Sequence, residues 1–134
     1  MVKLSAIKSD PELEREGVWQ DYELGIRVKV ARMGNQAFDE CVRKLSEPHL
    51  SGFRRNKLPS EVLERITKQA VARHILLGWE GIDGEDGKPL PYSEETALEI
   101  LNDPALADFY KFVLLAANEA ELFRRKDMEE AAGN

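Results

Sequence analysis

The apolar positions of this chain keep two different periods. Ile26, Val28 and Val30 alternate with Arg27 and Lys29, the mark of a strand with one buried face. Val18-Trp19-Gln20-Asp21-Tyr22 is aromatic-rich and strand-like, and Glu23-Leu24-Gly25 is short enough for a tight connection. Residues 18–32 therefore predict a β-hairpin, which is marginal alone and must pack on other elements. From residue 35 the period lengthens to that of helices. Phe38, Val42 and Leu45 follow a capping Asn35, and Pro48 predicts the end of that first helix. Ser60 is expected to cap a second, through about Leu77, with Val62, Leu63, Ile66, Ala70, Val71 and Ile75 on its apolar side and Gly78 as its stop signal. Ser93-Glu94-Glu95 opens a short third helix, 93–102, carrying Ala97, Leu98 and Leu101.

Asp103-Pro104 opens the fourth, an N-cap followed by proline at the first helical position. No breaker follows before Gly133, so the pattern predicts a helix from Pro104 to about Glu130. At about 27 residues it would measure roughly 40 Å, against about 30 Å for a small domain. Leu106, Phe109, Val113, Ala116, Ala120 and Phe123 form its buried stripe. Phe112 and Leu115, with Tyr110 and Leu114, lie off that stripe and widen the apolar surface, which suits docking or self-association. Beyond Phe123 the chain is charged, and 124–134 is expected to be a flexible tail. The expected class is mainly α (α+β): one domain, 1–134, with a polar segment 1–17, a β-hairpin 18–32 and a helical core 35–123. The hairpin packs on a four-helix array ending in a long C-terminal helix. Within 1–17 only a short turn is expected, capped by Asp10, with Pro11 first and Gly17 closing it.

Composition narrows the partners. The 134 residues are 43% hydrophobic and 33% charged, with a net charge of −6. That balance argues against nucleic acid, which needs a clustered basic face. Arg54, Arg55 and Lys57 are too few and read as a solvated linker. The single Cys41 cannot form an internal disulfide, which points to a reducing compartment. The first residues lack the apolar core of a signal peptide, and no segment approaches the ~20 apolar residues of a membrane span. A soluble cytoplasmic protein is expected.

Catalytic chemistry is thin. His49 and His74 lie in separate elements without metal-ligand spacing, and Cys41 sits on an apolar helix face with no local base. Asp83-Gly84-Glu85-Asp86-Gly87 invites a calcium reading, but Lys88 falls where the loop needs glycine and no glutamate comes in phase. The glycines also lack the strand before and the Gly-Lys-Ser/Thr ending of a phosphate loop. Asp86-Gly87 reads as a turn. No catalytic residue, metal or cofactor is expected. Trp79, Ile82, Leu90 and Tyr92 are the loop's informative residues. They pin it to the helical core or line a groove for a partner segment. Trp79, Tyr92, Phe112 and Leu115 are the candidate partner-binding residues.

One combination carries a family resemblance. Gly17-Val18-Trp19, Tyr22, Gly25-Ile26-Arg27-Val28-Lys29-Val30-Ala31-Arg32, Asn35 and Phe38 are followed by Leu77-Gly78-Trp79-Glu80-Gly81-Ile82 and Pro91-Tyr92-Ser93. With the long helix ending at Gly133-Asn134, this order resembles the tail assembly chaperones of long-tailed bacteriophages, from about residue 10 to the end. The resemblance implies a non-enzymatic protein of the host cytoplasm that is absent from the mature virion. Such chaperones coat the helical tape measure protein, keep it soluble and help recruit tail tube subunits. The implied partner is the tape measure protein, with the tail tube protein and a second copy of the chain as further candidates. The alternatives from other classes are a small acidic adaptor or inhibitor of a host protein, and an enzyme or cation sensor built on Asp83–Asp86.

Overall fold

Val28 and Val30 are fully buried at the centre of a three-stranded sheet, and the rest of the fold is arranged to cover them. The computed structural model describes residues 1–50 and 58–124. The strands β1 (Val18–Asp21), β2 (Arg27–Val30) and β3 (Leu76–Glu80) lie in the order β1-β2-β3, antiparallel throughout. The expected hairpin is present, with Trp19 opposite Lys29 and Asp21 opposite Arg27. Its turn runs from Glu23 to Ile26, closed by the Ile26 N–H on the Glu23 carbonyl at 3.0 Å.

The third strand departs from the expected helix to Leu77. Helix α3 (Ser60–His74) stops at His74, and Leu76-Leu77-Gly78-Trp79-Glu80 extends along β2 with Val28 opposite Trp79. Gly78 is therefore no helix stop. A β-carbon there would meet the Trp19 ring at 3.5 Å and Lys29 at 3.7 Å, so the glycine leaves room for an aromatic lying across the sheet. Arg27 closes the same outer face, 3.1 Å from Asp21 and 3.6 Å from Glu80. Ser60 begins α3 rather than capping it; Pro59 holds the cap position.

The helices α1 (Pro11–Glu16), α2 (Gln36–Leu50), α4 (Glu94–Asn102) and α5 (Ala107–Ala117) complete the fold. Asp10, Asn35 and Ser93 each accept the expected capping bond, from Glu12, Phe38 and Thr96. Pro48 does not end α2. Its fixed φ is itself helical, and the chain keeps helical form to Leu50. A 3-10 turn, Leu4–Ile7, adds to the N-terminal segment.

The largest departure is at the end. The helix expected to reach Glu130 stops at Ala117, where the Asn118 amide donates to the Leu114 carbonyl at 2.8 Å. Glu119 is extended, and a 3-10 turn, Ala120–Phe123, brings Phe123 into full burial. The chain then meets its own beginning: Asp10 donates to the Phe123 carbonyl at 2.6 Å, and Ser9 bridges Arg124. Phe123 belongs to the core as its spacing implied, but on a returning chain. The basic linker residues Arg54, Arg55 and Lys57, and the tail 125–134, lie outside the described residues. The mainly helical α+β class holds.

Candidate functional site

Strand β3 carries Trp79 into the core, where it is 7% exposed. Its indole N–H donates to the Leu90 carbonyl at 2.8 Å, and Tyr92 stacks edge-on at 4.9 Å. The Tyr92 hydroxyl donates to the Leu76 carbonyl at 2.7 Å, with the Ala72 carbonyl at 3.2 Å. Burial pushes the Tyr92 phenol above its usual range, and the negative charge of Glu94 adds to it. Both aromatics thus fasten the ends of the 81–92 loop to α3 and β3. Between them the loop doubles back: Leu90 donates to Ile82, and Gly84 to Lys88, at 2.9 and 2.8 Å. Asp86 accepts from the Lys88 N–H at 3.0 Å and Gly87 has φ +76°, the turn expected there. Among the described residues no cluster of three or more His, Cys, Asp or Glu side chains is placed to hold a metal.

The fastened loop forms one wall of an apolar groove of about 430 Å³. Ile82 and Leu90 line it from the loop, Tyr22 and Ile26 from the hairpin, Ile100 from α4, Ala105 and Leu106 from the 3-10 turn Pro104–Leu106 that joins α4 to α5, and Phe109 from α5. Asp108 is its one charged lining residue. Tyr22 meets Phe109 edge-on at 5.5 Å and Phe112 at 4.7 Å. Burial raises the Tyr22 phenol pKa, and the charges of Glu23 and then Asp108 raise it further. Beyond Tyr22, Phe112 and Leu115 line a shallower depression of about 230 Å³ with Gln20, Ala116, Glu119 and Leu122. Leu115 is 73% exposed and Phe112 half-buried.

The four sequence candidates therefore divide. Phe112 and Leu115 share one depression, while Trp79 and Tyr92 stand behind the loop and act on the groove by holding Leu90 in place. Tyr22, Ile100 and Leu106 were not among the candidates. Tyr22 carries a signal in retrospect, an aromatic beside a hairpin turn with no strand partner to cover it. Ile100 and Leu106 carry none, because the groove appears only when two helices meet at the Asp103-Pro104 corner.

A second cleft, of about 240 Å³, lies over Cys41, Arg73 and His74. Arg73 Nη1 is 3.8 Å from the Cys41 sulfur, but Arg73 Nε is held by Glu94 at 2.7 Å. Burial, then the Arg73 charge, lowers the His74 pKa. These groups read as packing around a small buried thiol.

No described helix is long and apolar enough to cross a membrane. Neither the curated proteins nor the solved structures compared with the chain give a match. The family model described as YdaY prophage protein matches residues 33–134, from the end of the hairpin through all four candidate residues. With more than half its length matched, this phage-derived chain belongs to the YdaY prophage protein family.

Proposed function

We propose that this protein is a phage tail assembly chaperone. It works without catalysis, binding apolar helical segments of the tape measure protein, keeping that protein soluble and helping to recruit tail tube subunits. The observation that carries the reading is the apolar seam, which runs from the Ile82–Leu90 groove across Tyr22 to Phe112 and exposed Leu115. A groove floored by aliphatic and aromatic side chains accepts the apolar face of a helix. Membership of a prophage family and the residue-level resemblance to tail chaperones support the same reading.

The test is co-expression with a phage tape measure protein. Soluble co-purification is expected, reduced by Leu115→Glu, which places charge on the seam without disturbing a buried residue. A tape measure protein that stays insoluble with or without this chain overturns the reading. A second reading, a small acidic adaptor or inhibitor of a host protein, is favoured by the net charge of −6. Co-purification of a host protein through a basic surface, independent of Leu115, is its signature.

A further inference from the structure

The hairpin tip holds a residue that the turn itself does not want. Leu24 has φ +58° and Gly25 φ +80°, the pair of positive angles that a type I′ turn demands. Asparagine or aspartate followed by glycine meets that demand, whereas a leucine at positive φ is strained. Leu24 is the only non-glycine residue with positive φ among the described residues, and it is 95% exposed. Strain and exposure thus fall on one apolar side chain, at the turn whose flanking residues Tyr22 and Ile26 both line the groove. The tip is also held from behind. Tyr22 donates to the Ile26 carbonyl at 2.7 Å, and Gly81 approaches the Gly25 carbonyl so closely that a β-carbon would lie 2.5 Å from it. The backbone that carries Leu24 is therefore held before any partner arrives.

Charge sets the partner's chemistry. Asp108 lines the groove, Glu23 precedes Leu24, Asp83 follows Ile82 and Glu99 precedes Ile100. Of these only Asp108 lines the groove itself, and no lysine or arginine does; Arg27, next to Ile26, is paired with Asp21 and Glu80. We propose that Leu24 and the groove behind it form a docking site for a helix of a partner protein, apolar on one face and flanked by lysine or arginine. Leu24 is the anchor at the rim, and the Asp108 carboxylate in the groove selects a basic flank. This deepens the chaperone reading and rests on it for the partner's identity, while the site's chemistry is tested separately.

The experiment titrates the full-length protein with a labelled helical peptide of leucine, alanine and lysine, and with a twin in which glutamate replaces every lysine. The lysine peptide is expected to bind and the glutamate twin to bind at least roughly tenfold more weakly. Leu24→Asn, which suits the turn, is expected to weaken the lysine peptide roughly tenfold while the melting temperature stays level or rises. Equal binding of the two peptides, or Leu24→Asn binding as well as wild type, overturns the proposal. So does a self-association of the free protein that Leu24→Asn abolishes, which would make a second copy the occupant. A Leu24-dependent peptide site with no tape measure solubilisation sinks the chaperone reading alone. Tape measure co-purification indifferent to Leu24 sinks the docking proposal alone.

Discussion

Gly81 and Gly34 share a φ of +81°, yet their surroundings differ completely. A β-carbon at Gly34 meets nothing within 4 Å, whereas one at Gly81 falls 2.5 Å from the Gly25 carbonyl oxygen and 3.3 Å from the Ile26 Cα. Gly34→Ala should therefore cost only the backbone term, about 1 kcal/mol. Gly81→Ala adds a backbone clash that neither the hydrogen-bonded turn nor the end of β3 can yield to cheaply, and a loss of about 3 kcal/mol is expected. Paired thermal melts check this; equal losses at the two sites would show that the hairpin tip does not lean on the loop. Leu24 behaves in the opposite sense. Leu24→Asn should leave the fold unharmed or steadier by up to about 1 kcal/mol, because asparagine enters the left-handed region at lower cost. A leucine that stands against its own backbone preference is the observation behind the docking proposal at the hairpin tip.

Three helix starts were legible because capping is local: Asp10, Asn35 and Ser93 hydrogen-bond within their own first turns, whereas Ser60 lies one residue inside α3. Beyond the helix bounds at Pro48 and Ser60, the two larger departures were decided by distant partners. Leu76-Leu77-Gly78-Trp79 has the composition of an apolar helix end, but β2 offers it an open edge and Trp19 needs the space above Gly78. In the same way Phe123 fits a helical stripe by spacing alone, while its burial is against the N-terminal segment. Arg32 sits 5.4 Å from its ring, and Asp10 bonds its carbonyl. Hydrophobic period reports that a residue is buried and is silent on the direction from which it arrives. The returning turn should thus be anchored by that one ring. Phe123→Ala is expected to lose about 3–4 kcal/mol and to speed amide exchange at Asp10. Exchange at Asp10 unchanged in the variant would mean that the N-terminal segment is held by something else.

At the scale of the molecule, the loop's anchors and the loop's surface do separate work. Trp79 and Tyr92 were legible as important because large aromatics in a glycine-rich loop must be buried or bound, and both turn their polar atoms to backbone carbonyls of the fold. The groove they stabilise was only half legible. Ile82 and Leu90 stood out as apolar loop residues, but the walls from Tyr22, Ile100 and Leu106 exist only after the hairpin and the α4–α5 corner converge. Leu115 was visible from its place off the buried stripe, and it is the outer end of the same apolar seam. The central claim is that this seam receives a helical partner. Amide hydrogen exchange of the full chain, with and without a soluble tape measure fragment, tests it most directly. The account predicts slowed exchange at the Glu23–Ile26 turn, the 82–90 loop and the α4–α5 corner, with the outer sheet face around Lys29 unchanged. Protection confined to that outer face or to the cleft over Cys41, or no protection at all, would contradict it.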